Sequence, residues 1–228
     1  MASENVENYL KRIYTIEKTG ERASTTLLSE KLQISPASVS EMIKRLAEQG
    51  DVNYTPYRGV ELTREGRKRA LRIIRRHRLW ELFLVRVLKY RWDEVHTEAE
   101  RLEHVTSELM EDRLDQFLGN PTIDPHGDAI PSADGELPDG AAVPLSVVTP
   151  SEVIVRRVSD EETEILRYAT RLGIELEKQL TVLERISFDG SLRVSIDGKE
   201  QFVSQKLASR IFVEPAKPKK GRGNGSPA

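Results

Sequence analysis

Apolar residues at Val6, Tyr9, Leu10, Ile13, Tyr14 and Ile16 recur with the spacing of one helix face and predict a helix over 5–18. A second, short helix is predicted over 25–32, followed by a tight turn at Gln33-Ile34-Ser35. Ser35 is a good N-cap with Pro36 at the first helical position, and Val39, Ile43 and Leu46 mark the buried side of a third helix over 36–49, ended by Gly50. The period then changes. Residues 52–54 and 59–62 read as two short strands joined by Thr55-Pro56-Tyr57-Arg58, a turn sequence.

Helix, short helix, turn, helix and β-ribbon, in that order and at those lengths, describe a winged helix-turn-helix. A long helix follows over 63–90, capped by Thr63. Ile73, Ile74, Leu79, Leu82, Phe83, Val87 and Leu88 form its apolar stripe, and helices over 93–107 and 108–118 come next. Little else in this module is available to cover so long a stripe, which predicts a dimer interface. Five prolines and four glycines between Gly119 and Pro144 read as a linker with local turns. Short β-like runs return at 147–148, 153–155, 180–183, 192–196 and 201–203, interrupted by a helix over 160–172. Phe188-Asp189-Gly190 and Asp197-Gly198 are hairpin turns, and the whole suggests a small SH3-like β-barrel. The fold expected is therefore mainly α with small β. It divides into a winged helix-turn-helix (1–63), a helical dimerisation domain (64–119), a Pro/Gly-rich linker (120–143), an SH3-like domain (144–215) and a disordered tail (216–228).

Three of the four histidines change the picture. His96, Glu100, Glu103 and His104 stand at i, i+4, i+7 and i+8, within about a 100° arc of one helix, and His77 and Glu81 stand at i, i+4 on another. Each residue alone reads as ordinary surface charge; together they make a poor core face and a plausible ligand set for a divalent cation. Cysteine is absent, which removes thiolate zinc sites, disulfides and cysteine nucleophiles together. Imidazole and carboxylate alone suit Mn2+ or Fe2+ in octahedral geometry, although Zn2+, Co2+ or Ni2+ can bind more tightly in vitro. With no His-Glu-x-x-His motif, the expectation is a regulator and not an enzyme. The 228 residues allow one to three domains, and no apolar run approaches the length that spans a bilayer. The N-terminus carries no secretory pattern, so a cytoplasmic address without a membrane partner is expected. The net charge of −2 hides a basic run of eight Lys and Arg between Arg64 and Arg78, which is either a local DNA-facing surface or a solvated helix face.

Glu7-Asn8-Tyr9-Leu10-Lys11-Arg12-Ile13-Tyr14, Arg76-His77-Arg78-Leu79-Trp80-Glu81 and Glu100-Arg101-Leu102-Glu103-His104 resemble the diphtheria toxin repressor family, which includes iron-dependent repressors and manganese transport regulators. The resemblance runs through Pro125-His126-Gly127-Asp128 and the C-terminal domain. It implies a homodimeric repressor, on an inverted-repeat operator near metal-transport genes, that takes no small organic substrate. It also implies two metal sites per subunit: one of Glu100, Glu103, His104 and a group from the first helix, the other of His77, Glu81 and His96 with a carboxylate of the SH3-like domain. Glu162 is the candidate for that carboxylate, with Glu161 and Glu164 as alternatives. Glu100 matches the manganese type, where the iron type carries cysteine. The first-helix position, Met in the iron type and Asp in the manganese type, is Asn8 here, and Lys11 stands where the manganese type has Glu. The tether from that helix is thus either a weak neutral oxygen or is supplied by Glu7 or water. His126 reads as structural or exposed, and not as a ligand.

DNA readout falls on the third helix, with Ser35, Ala37, Ser38, Ser40 and Glu41 at its exposed N-terminal side and Lys44 within reach of phosphate. Tyr54, Tyr57 and Arg58 of the wing are candidates for the backbone or minor groove. Two rivals remain at this point: a winged-helix regulator that senses a small molecule, and a metal-storage or hydrolytic protein that kept the helix-turn-helix for dimerisation.

Overall fold

The computed structural model describes residues 4–55, 59–138 and 140–216. The chain forms two compact units, Met1–Asp139 and Gly140–Ala228.

In the first unit α1 (Glu4–Lys18), α2 (Thr25–Leu32) and α3 (Pro36–Glu48) are followed by the antiparallel pair β1 (Val52–Thr55) and β2 (Gly59–Leu62). Side-chain caps set the helix starts: Ser24 accepts from the Leu27 amide and Ser35 from the Ser38 amide. Gln33 adopts the left-handed conformation that ends α2, with φ 55°. Leu10, Ile13, Leu28, Val39, Ile43 and Leu46 are fully buried in one core with Val52 and Val60. The ribbon pairs Val52 with Leu62 and Thr55 with Gly59. Its tip, with Tyr57 and Arg58, lies outside the described residues.

Helix α4 (Arg64–Arg86) starts where Thr63 accepts from the Gly66 amide. A Cβ on Gly66 would stand 1.9 Å from the Asp51 carbonyl oxygen, so only glycine lets α4 meet the β-ribbon this closely. The helix stops four residues before the expected end, as the chain turns through Lys89 at φ 60°. Helices α5 (Val95–Glu103) and α6 (Glu108–Phe117) pack against it. Much of its apolar stripe is covered from within: Ile73, Ile74, Leu79 and Leu82 are buried in the chain itself. The exposed apolar surface lies instead at Val87, Leu88 and Tyr90, and on Val105, Leu109, Met110 and Phe117.

The basic run is neither solvated nor turned to a DNA surface as a whole. Glu111 takes Arg72, Arg75 and Arg76, and Asp115 takes Arg75. Arg69 pairs with Asp51, Arg67 with Glu17, and Arg78 with Asp124 and Asp128. Six of the eight cations expected as an outward surface thus clamp the unit together. Removing Glu111 would strand the buried Arg75 and Arg76 at a cost of about 3–5 kcal/mol, whereas the half-exposed pairs of Arg67, Arg69 and Arg72 contribute much less.

Residues 119–138, expected as most of a linker, belong to the first unit. Arg75 donates to the Pro131 carbonyl and Arg78 to that of Ala129, while Asp124 Oδ1 accepts from the amides of His126 and Asp128. Ile130 enters a core with Leu79, Leu82 and Leu114, and His126 is fully buried, which leaves the structural one of its two readings and removes the exposed one. Prolines and glycines shape this segment into a strap because arginines of α4 meet its carbonyls.

The second unit is an antiparallel sheet in the order β3-β8-β4-β5-β6-β7: β3 Val143–Pro144, β4 Ser151–Val158, β5 Gln179–Arg185, β6 Leu192–Ile196, β7 Lys199–Val203 and β8 Ile211–Pro215. Helices α7 (Thr163–Arg171) and α8 (Gln205–Ala208) accompany it. The fold is SH3-like, but the sheet is not the closed barrel expected: among the described residues no pairing joins β3 to β7. Register shifts at Val155/Arg157 and Val182/Glu184 bend it. Val147, expected with Val148 as a β-like run, instead ends a 3-10 turn over Leu145–Val147, and β8 and α8 escaped the sequence pattern. No helix among the described residues is long and apolar enough to cross a membrane.

Candidate metal centre

Three helices bring the polar face together. One turn of α4 places His77 and Glu81 side by side and buried, α5 brings His96, Glu100 and Glu103 with His104 just beyond its end, and α1 brings Glu7, Asn8 and Lys11. All six His and Glu residues picked from spacing converge here.

On one side His77 Nε2 lies 3.0 Å from Glu81 Oε1 and 3.1 Å from His96 Nδ1, and His96 Nδ1 lies 3.5 Å from Glu81 Oε1. Cis ligands held about 2.1 Å from one ion stand about 3 Å apart, so these atoms already have the mutual spacing of a coordination shell. His77, His96 and Glu100 each offer a ligand atom within 4.8 Å of one another. Beside them the buried His126 imidazole holds the Trp92 carbonyl at 2.7 Å through Nε2 and stands 3.6 Å from Glu81 Oε2 through Nδ1.

On the other side Glu100, Glu103 and His104 form a second such group. His104 Nδ1 donates to Glu7 Oε2 at 2.6 Å, which leaves Nε2 as the lone-pair nitrogen, 3.5 Å from Glu103 Oε1. Glu7 thus orients the His104 imidazole, as an outer carboxylate does in many metal sites. His104 Nε2 and Asn8 Oδ1 are both buried without a hydrogen-bond partner. Leaving such atoms unmatched costs about 1–3 kcal/mol each, and a cation that reaches either atom satisfies it. The residues present therefore fit a divalent ion, and α1 offers the neutral Asn8 oxygen as a further donor.

Sequence reasoning noted Lys11 only as a departure and did not place it. It lies in the middle, its Nζ 2.9 Å from Glu100 Oε2 and 2.9 Å from both Glu103 oxygens. The readable signal was its position four residues after Glu7 on the same face of α1. Glu162 lies in the second unit, paired with Lys206 at 2.8 Å, and Glu161 pairs there with Arg210.

Burial alone would lower the His77 imidazole, but the Glu81 charge and hydrogen bonds to Glu103 and Glu81 overcome this, and Lys11, and raise it to about 9. Burial would raise Glu81, and the His77 charge holds it well below the usual carboxylate range. Glu100 is likewise lowered, against burial, by Lys11. In the ion-free chain the His77 contribution to stability is complete below pH 6.5, the ordinary value, and is lost as pH rises through about 9. Ion binding through Nε2 must displace that proton. Mn2+ affinity should therefore climb between pH 6.5 and 8.5 in calorimetric titrations with proton release, while the melting temperature in EDTA falls over the same window. A pH-independent affinity would show that His77 is not a ligand.

The face of α3 is as expected in part. Ser35, Ala37, Ser38, Glu41 and Lys44 are exposed and Ser40 is half-buried. Ser35 spends its hydroxyl as a cap, and Ser40 donates its own to the Pro36 carbonyl.

A winged helix whose first helix closes over a buried imidazole–carboxylate cluster defines a metal-responsive DNA-binding regulator. Residues 1–60 match the iron dependent repressor N-terminal DNA binding domain, 63–132 the iron dependent repressor metal binding and dimerisation domain, and 143–215 the FeoA domain. The chain is 33% identical to the iron-dependent repressor IdeR of Mycobacterium leprae over 92% of its length and 97% of that protein. It is 31% identical to the diphtheria toxin repressor of Corynebacterium efficiens over 92% of its length and 95% of that protein. A manganese-dependent transcriptional repressor solved in complex with manganese superposes with a TM-score of 0.86 at 42% identity, over 92% of this chain and all of that one. The chain belongs to the diphtheria toxin repressor family of metal-dependent DNA-binding regulators.

Proposed function

We propose that this chain is a cytoplasmic, homodimeric repressor of metal-uptake genes, gated by Mn2+ in preference to Fe2+, with two ion sites per subunit. The observation that carries the reading is the pair of orphaned buried atoms, Asn8 Oδ1 on α1 and His104 Nε2 at the end of α5. A divalent ion supplies positive charge and coordination bonds at that junction. Asn8 then ties α1, which packs on the DNA-reading helices, to the helical part that dimerises, and so fixes the separation of the two α3 helices across an inverted repeat. The shift requires tighter ion binding to the DNA-competent arrangement than to the other.

The ligand set supports manganese: oxygen and imidazole donors with Glu100 and no thiolate. The manganese-bound relative agrees, whereas the curated sequence relatives are named for iron. The two imidazole-bearing groups, His77–Glu81–His96 and Glu100–Glu103–His104 with Asn8 from the first helix, supply the two sites. Glu162 is retained as the proposed carboxylate of the C-terminal unit.

The test is selection of a duplex from a random pool, then fluorescence anisotropy at fixed salt in EDTA, Mn2+, anaerobic Fe2+ and Zn2+. The expected result is a palindrome bound at least about 100-fold more tightly with Mn2+, a coupling near the top of the usual range. Equal binding in EDTA would remove the metal gate and favour a regulator responsive to something else.

A further inference from the structure

The ammonium of Lys11 is seated inside the cluster. Its Nζ meets Glu100 Oε2 and both Glu103 oxygens at 2.9 Å and lies 3.2 Å from His77 Nδ1. The Glu103 carboxylate is 0% exposed and Lys11 only 18%, so the contact is largely shielded from water. A carboxylate buried to that degree requires a paired charge. The ligand atoms that Lys11 does not hold fall into two groups: His77 Nε2 with Glu81 and His96, and the unpartnered His104 Nε2 and Asn8 Oδ1. The cluster thus has three cation positions, and the chain fills the middle one with its own side chain.

We propose that Lys11 is a resident cation of the metal centre. It bars a divalent ion from the position bounded by His77, Glu100 and Glu103. It keeps the two flanking ions separate, and it pins α1 to α4 and α5 when no metal is bound. This rests on the reading of the flanking groups as ion sites. A divalent ion in the middle would have to expel an ammonium held by two carboxylates, since both cannot occupy one site about 3 Å from the same oxygens without strong repulsion. An ammonium offers three donors on a flexible stem, and it supplies the pin without the directional bonds that a metal ion demands. Part of the tether that metal provides is therefore already present in the metal-free chain.

The test uses the full chain with Lys11→Glu and Lys11→Met. Ions per chain are counted by equilibrium dialysis against Mn2+ with elemental analysis, and melting is followed in EDTA and in Mn2+. Lys11→Glu should bind one more Mn2+ than the wild type, a change that loss of a merely structural contact would not produce. Lys11→Met should melt at least about 5 °C lower in EDTA, with the deficit recovered in saturating Mn2+. An unchanged ion count in Lys11→Glu, or an EDTA melting point in Lys11→Met equal to the wild type's, overturns the proposal. If Lys11→Glu does not fold, the melting of Lys11→Met decides. Metal-independent DNA binding by the wild type would instead refute the gated-repressor reading, and the ion count would still stand or fall separately.

Discussion

His104→Ala should raise the Mn2+ concentration needed for half-maximal DNA binding by more than about 100-fold, and Glu7→Gln by about 10- to 100-fold. The order follows from the geometry. His104 offers Nε2, buried and unmatched, as a ligand atom, and Glu7 holds its other nitrogen at 2.6 Å. Removing the imidazole deletes a coordination bond. Removing the Glu7 charge leaves the ring in place but frees its orientation and lowers its basicity. Neither substitution touches the Lys11 contacts to Glu100 and Glu103, so DNA binding in EDTA should stay near the wild-type level. Anisotropy titrations with Mn2+ at one salt concentration measure both midpoints. Two variants that respond to Mn2+ like the wild type would show that this flank of the cluster holds no ion.

The second large effect concerns assembly. Leu109, Met110 and Phe117 lie within a 100° arc of α6, and Leu109 and Phe117 are 66% and 67% exposed. The Phe117 ring packs on Phe83 of α4, so the patch continues from the core of the helical part outward. Burying each of these side chains in a subunit contact contributes about 1.5–3 kcal/mol, and a carboxylate there reverses the sign. The double substitution Leu109→Glu with Phe117→Glu should give a monomer by sedimentation equilibrium. It should weaken binding to a palindromic duplex at least about 100-fold, because the two half-sites are then no longer bound together. Its helical content should change little, since Leu109 and Phe117 are largely exposed within the single chain, while the stability that association adds should be lost. A variant that remains dimeric would place the subunit contact elsewhere, and the exposed Val87, Leu88 and Tyr90 at the end of α4 would be the next surface to alter.

Local signals carried the DNA-reading half of the fold. Ser35-Pro36 marks the start of α3, and the change of period after Gly50 marks the ribbon, because caps and alternation act over a few residues. The His/Glu face was legible for the same reason, since spacings of 3, 4, 7 and 8 state which groups share a helix face. What failed depended on contacts distant in sequence. Segment 119–138 has the composition of a linker, and only the arginines of α4, some 50 residues earlier, make it a strap. The same arginines looked outward-facing because their acceptors, Glu111, Asp115 and Asp128, lie on other elements. Lys11 departs from the manganese-type pattern by a reversal of charge, and that reversal makes sense only once Glu100 and Glu103, about 90 residues away, are found around it. Strand β8 was missed because its partners, β3 and β4, precede it by over 50 residues, and pairing rather than local pattern fixes it.

The strap has an optical consequence. Both tryptophans of the chain belong to the first unit, and both stand next to the cluster. Trp80 precedes Glu81 and donates to Thr106 at 2.7 Å, and Trp92 stacks on His126 with ring centroids 6.0 Å apart. Emission excited selectively in the indoles therefore reports on this half of the molecule alone. The SH3-like unit contributes no indole, so the emission of an unlabelled chain originates at the helical cluster alone.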